Sequence, residues 1–112
     1  MELINIRLSN GNNEIVSYKK VPCIVNNDKI SFIIDDIKTT ISDIELSREN
    51  KEYIFTLDIK NKLSTYTLKE INNTYDIEVE NLEYIKNDKI IELIYKISSN
   101  EEAIKIIIER EI

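Results

Sequence analysis

Apolar residues recur at every second position along most of this chain. Ile4, Ile6 and Leu8 alternate with Asn5 and Arg7, and Ile30, Phe32 and Ile34 share one phase. Tyr53, Phe55, Leu57 and Ile59 oppose Glu52, Thr56, Asp58 and Lys60, while Tyr75, Ile77 and Val79 oppose Asp76, Glu78 and Glu80. Ile91, Leu93, Tyr95 and Ile97 oppose Ile90, Glu92, Ile94 and Lys96. Successive side chains of a strand point to opposite faces, so this pattern predicts antiparallel sheet with one face buried and one wet. Turn signals separate the runs about every 8–12 residues, as in a β-meander. They are Asn10-Gly11-Asn12-Asn13, Asn26-Asn27-Asp28, Asp35-Asp36, Arg48-Glu49-Asn50, Asn61, Asn72-Asn73, Asn87-Asp88 and Ser98-Ser99-Asn100. Asn and Asp tolerate positive φ and mimic turns with their own side chains, so the chain can turn this often with one glycine.

Two runs change phase midway. In 37–46 the apolar set is Ile37 and Ile41, then Ile44 and Leu46; in 75–86 it is Tyr75, Ile77 and Val79, then Leu82 and Tyr84. A slip of one residue would send every later side chain to the wrong face. Either a β-bulge near Ser42–Asp43 and near Glu80–Asn81 repairs the phase, or each run is two short strands joined by a tight turn. Bulges curve a sheet toward closure. Pro22 lacks an N–H and belongs at an edge or a bulge. Residues 100–111 admit two readings. Ser99 and Glu102 have capping-box spacing ahead of a helical stripe of Ala103, Ile104, Ile107 and Ile108. The β-branched run Ile106-Ile107-Ile108 and the alternation of Ile104, Ile106 and Ile108 favour a closing strand. The expected architecture is all-β: a single antiparallel meander of about 8–9 strands closing into one β-barrel domain over residues 1–112.

Composition agrees. Twenty-four of the 112 residues are Ile, Ala occurs once, and Trp is absent. Ile is stiff at χ1 and suits a pleated surface, whereas a helical protein would draw on Ala, Leu and Met. The net charge of −6 disfavours nucleic acid and anionic membranes as partners. Lys19–Lys20 is the longest basic cluster and is expected on a solvated strand end. The N-terminal stretch lacks the long apolar core of a signal peptide, and no run of about 18 apolar residues predicts a membrane span. The expected location is the cytoplasm.

Candidate chemistry is sparse. The chain has no His and one Cys. Zinc is therefore excluded, and Cys23, set in Val-Pro-Cys-Ile-Val, has no imidazole base and is expected to be packing. Asn26-Asn27-Asp28 and Asp35-Asp36 lack EF-hand spacing, a single glycine cannot build a phosphate loop, and no nucleophile elbow occurs. No cofactor and no enzymatic activity are expected. The aromatic residues Phe32, Tyr53, Phe55, Tyr66, Tyr75, Tyr84 and Tyr95 fall mostly on the apolar phase. In a barrel of this scale they either fill the interior or line a small ligand. Arg110 continues the phase of Ile104, Ile106 and Ile108, and Arg48 follows a strand end. Either could meet a carboxylate ligand, though pairing with an Asp or Glu of the chain is the simpler fate.

A family resemblance runs along the chain. Asn26-Asn27-Asp28-Lys29-Ile30-Ser31-Phe32-Ile33-Ile34 resembles the turn and strand after the first hairpin of the YwiB-like family, small uncharacterised bacterial proteins with a calycin-like, lipocalin-type β-barrel. Similar segments continue in Thr39-Thr40-Ile41 and Tyr53-Ile54-Phe55-Thr56-Leu57. Leu82-Glu83-Tyr84-Ile85-Lys86-Asn87-Asp88-Lys89-Ile90-Ile91-Glu92-Leu93-Ile94-Tyr95 is similar to the family's closing hairpin, ahead of a last strand at Ala103–Glu109. The resemblance implies a calycin-like barrel in place of an open sandwich, and it supplies no activity.

Two functional expectations follow. The first is binding of a small apolar or amphipathic ligand at the barrel mouth, with Phe32, Tyr53, Phe55, Tyr66, Tyr95 and Arg110 as the ligand-binding set. The alternative is a protein–protein interaction or structural module, a homodimer being one form of it, acting through a sheet edge or through Ile54, Ile90, Ile94 and Ile107 on the outer phase.

Overall fold

In the computed structural model, which describes residues 2–11, 15–100 and 102–111, every regular element is a strand. In chain order they are β1 (Glu2–Asn10), β2 (Ile15–Asn26), β3 (Lys29–Ile34), β4 (Ile37–Ile41), β5 (Glu45–Glu49), β6 (Tyr53–Asp58), β7 (Leu63–Leu68), β8 (Asn73–Lys86), β9 (Ile90–Ile97) and β10 (Ile104–Arg110). Each pairs antiparallel with its sequence neighbour, and β1 also pairs with β10. The hydrogen-bonded order closes on itself as a ten-strand barrel. The asparagines at positions 12 and 13, read as part of the first turn, lie outside the described residues.

The tenth strand comes from the first phase slip. Residues 37–46 are not one bulged strand: Ile41 and Leu46 face each other across a turn in which the Ser42 N–H donates to the Glu45 carbonyl at 2.9 Å. The second slip is a bulge, since the β8–β9 register shifts between Val79 and Asn81. A third irregularity escaped the apolar pattern. Between Ile4↔Val21 and Ile6↔Tyr18, β2 carries one residue more than β1. Lys20 sits there at φ 54, its N–H donating to Asn5 Oδ1 at 3.0 Å. Lys19–Lys20 is therefore a mid-strand bulge and not a strand end. Pro22 lies opposite Leu3, clear of the short β2–β3 ladder that starts at Ile24.

Positive φ marks the turns. Asp35 and Asp36, at φ 51 and 65, form the two-residue connection between Ile34 and Ile37, the primed geometry that matches strand twist. Lys62 at φ 56 and Asn72 at φ 50 end the β6–β7 and β7–β8 loops. Lysine in this region suffers Cβ crowding that glycine escapes. Lys62→Gly is therefore expected to raise the unfolding free energy by about 0.5–1 kcal/mol in urea titration.

The residues cluster into two compact units: residues 1–23 with 79–112, and residues 24–78. In the first unit, Ile6, Ile108 and Ile91 lie side by side across β1, β10 and β9, and Leu8, Ile106, Leu93 and Tyr84 form the next row. Ile4, Ile6, Leu93 and Ile108 have no solvent exposure. In the second unit, Ile30, Ile41, Leu46, Leu57, Ser64 and Ile77 make one continuous row. Each fully buried Ile or Leu contributes on the order of 1.5–3 kcal/mol. Segment 104–110 is a strand, with Ile106 and Ile108 buried and Ile107 half-buried.

Candidate functional site

Direct cross-strand partners project from the same face of a sheet, with Cβ atoms about 5 Å apart. The register therefore assembles a second row in the residue 24–78 unit: Phe32, Thr39, Arg48, Phe55, Tyr66 and Tyr75. It lies beside the Ile30–Leu57 row and on the same face. Phe32, Thr39 and Phe55 are buried, Arg48 and Tyr66 are partly accessible, and Tyr75 is 44% exposed. The row thus runs from closed at β3 to accessible at β8.

Tyr53 lies two residues from Phe55 on β6, opposite Leu68. Its ring stacks on Tyr66 with centroids 5.3 Å apart and planes 18° apart. The offset matches the diagonal contact available to long aromatic side chains across antiparallel strands. Four of the six residues expected from sequence, Phe32, Tyr53, Phe55 and Tyr66, are therefore on one face of one unit. The other two lie in the first unit. Tyr95, 2% exposed, is packed opposite Ile104 and Leu82. Arg110 is engaged with Glu2: its Nε and Nη2 donate to the two carboxylate oxygens at 2.5 and 3.0 Å. That bidentate contact, with the neighbouring negative charge, raises the Arg110 pKa against the opposing effect of burial.

Arg48 is a correction. Of the Arg48-Glu49-Asn50 signal only Asn50 makes the turn, its Oδ1 accepting from the Glu52 and Tyr53 N–H groups, while β5 continues through Glu49 and Arg48 pairs with Thr39 on one side and Phe55 on the other. Its Nε is shut off from solvent and has no acceptor among the described residues. The phase beginning at Leu46 carries straight on to Arg48 and was the signal that could have placed it on the buried face.

Cys23 pairs with Glu2 across β1 and β2 and is 4% exposed. Burial, then the Glu2 charge, raises the thiol pKa, and Arg110 opposes them. A raised thiol pKa favours the neutral form in the fold. The corresponding stability is complete below the ordinary thiol range and declines as pH climbs through the folded value. Cys23 is accordingly expected to react with a disulfide reagent at least about a hundredfold more slowly in the native protein than in urea.

Two carboxylates of the residue 24–78 unit are held by neighbouring side chains. Asp58 accepts from the Asn61 side chain and backbone, both at 2.9 Å, which lowers its pKa and pins the β6–β7 turn. Glu49 is lowered by its hydrogen bond and charge contact with Lys69, 2.6 Å away. A surface groove of ≈ 550 Å³ includes Thr56, Asp58, Asn61, Leu63 and Thr65. Among the described residues, no group of three or more His, Cys, Asp or Glu is placed to hold a metal ion, and no helix is long and apolar enough to cross a membrane.

No family model, curated protein or solved structure matches this chain. The functional reading therefore rests on the geometry of its own residues.

Proposed function

We propose that this chain is a non-enzymatic, cytoplasmic, calycin-like β-barrel protein that binds a small apolar or amphipathic ligand. The site is the buried-face aromatic cluster of residues 24–78, and the observation that carries it is the stacked Tyr53–Tyr66 pair beside Phe55. Ligand sites are mostly apolar and aromatic with a few placed polar groups, and here Thr39 and Arg48 supply those groups in the same row. The partly accessible Arg48 and Tyr66 and the exposed Tyr75 offer a ligand access to that row. The sequential ten-strand meander supports the calycin-like resemblance, and the free thiol of Cys23 suits a reducing compartment.

Native mass spectrometry of the protein purified from its own host tests the reading. The expected result is a bound mass that is lost on denaturation and reduced in Tyr66→Ser. A bare protein mass, unchanged by added aromatic or aliphatic compounds, would count against it.

An interaction module is the second reading. Its specific support is Ile24 at 69% and Ile33 at 66% exposure on the outer phase of β2 and β3. The outer-phase residues Ile54, Ile90, Ile94 and Ile107 are half-buried. All four face charged side chains, as Ile54 does Glu49, Ile90 Glu109, Ile94 Lys105 and Ile107 Arg7. The strand order closes on itself, and a homodimer of this kind would form through the Ile24–Ile33 face. Light scattering across a concentration series would show it as a rising mass that Ile33→Lys abolishes.

A further inference from the structure

The two arginines of the buried phases differ in one respect. Arg110 directs Nε and Nη2 at the two oxygens of Glu2. Arg48 has a solvent-inaccessible Nε with no acceptor among the described residues. A guanidinium nitrogen removed from water and left without an acceptor costs free energy, and a carboxylate meeting the Nε–Nη edge would offset that cost with two charge-assisted bonds. Arg110 and Glu2 show this geometry within the same chain.

The surroundings of Arg48 define the rest of the ligand. Phe55 is its direct partner on β6, and Tyr66 follows Phe55 on β7. Strands lie about 4.8 Å apart, so Arg48 and the Tyr66 backbone are separated by roughly 10 Å along the row. That is the span of a carboxylate attached to a flat two-ring body. Tyr53 and Tyr66 stack nearly parallel at the far end of it. Thr39, 4% exposed and opposite Arg48, adds a hydroxyl next to the anion position.

We propose that Arg48 anchors an anion and that the ligand is a small planar aromatic carboxylate, an inference that rests on the ligand-binding reading above. The carboxylate accepts from Arg48, and the ring system lies over Phe55 against Tyr66.

Titration calorimetry of the full chain with 1-naphthoate and with uncharged 1-naphthamide tests this. Wild type is expected to bind naphthoate at least about tenfold tighter than the amide. Arg48→Met should remove that preference while still binding the amide. Without ligand, the same variant should melt a few degrees higher, because an apolar side chain replaces a guanidinium whose buried Nε lacks an acceptor. Equal affinity of wild type for acid and amide would overturn the carboxylate assignment and leave the ligand site standing. Binding of neither compound would overturn both. A lower melting temperature for a folded Arg48→Met would show that protein groups satisfy Arg48, and would also overturn the proposal. Should that variant not fold, Arg48→Lys decides: it keeps the charge but loses the fork, so a reduced preference supports the proposal and an unchanged one overturns it.

Discussion

Ile106→Asp should abolish cooperative folding, while Ile107→Asp should leave the protein folded. Ile106 is 1% exposed and lies between Leu8 and Leu93. A carboxylate there has no partner in that apolar row, and the cost of about 4–5 kcal/mol or more rivals the whole stability of a small domain, about 5–15 kcal/mol. Ile107 points the other way, between Arg7 and Glu92, where an aspartate gains one favourable and one unfavourable neighbour. Its cost should stay near 1 kcal/mol. A helix over the same residues would reverse the order, because its stripe of Ala103, Ile104, Ile107 and Ile108 would bury position 107. Circular dichroism melts of the two variants separate the cases.

Leu57→Ala and Leu93→Ala should each lower the unfolding free energy by about 3 kcal/mol in urea titration. Both leucines have no solvent exposure. Leu57 fits between Leu46 and Ser64 in the residue 24–78 unit, and Leu93 between Ile106 and Tyr84 in the other. Strand backbones held by ladders on both sides cannot collapse far into the space left by the missing methyls, so most of the cavity term persists. Ile33→Ala, by contrast, removes a side chain 66% exposed and should cost under about 0.5 kcal/mol.

Strand identity was legible because alternation is a local property: the phases of Ile4, Ile30, Phe55 and Leu93 all lie on the buried face. Turns were harder. The step from Ile41 to Ile44 and the step from Val79 to Leu82 look alike in sequence, yet one is a turn and the other a bulge. Their difference depends on which strand lies alongside, which no local pattern records. The bulge at Lys20 was invisible for another reason, since neither lysine disturbs the apolar phase around it. The aromatic part of the site followed from phase as well. Arg48 did not, because a charged run ending in Asn50 reads as a turn unless the phase of Leu46 is carried through it. The Arg110–Glu2 pair was out of reach: a separation of 108 residues leaves no trace in spacing.

That last pair has a kinetic side. The ladder between β1 and β10 joins the beginning of the sequence to its end, and Glu111 donates back to the Leu3 carbonyl at 3.1 Å. On the ribosome, β1 emerges before the other nine strands and must wait for β10 before one of its two neighbours exists. Loop-closure entropy makes this the slowest contact to form, and an unpaired strand rich in Ile invites another nascent chain to pair with it. Glu2, Asn5 and Arg7 on that waiting strand keep it hydrated and charged in the interval. A circular permutant that links β10 directly to β1 and opens the ring at Asp35–Asp36 would turn the last contact into a hairpin, and should fold faster with less aggregation.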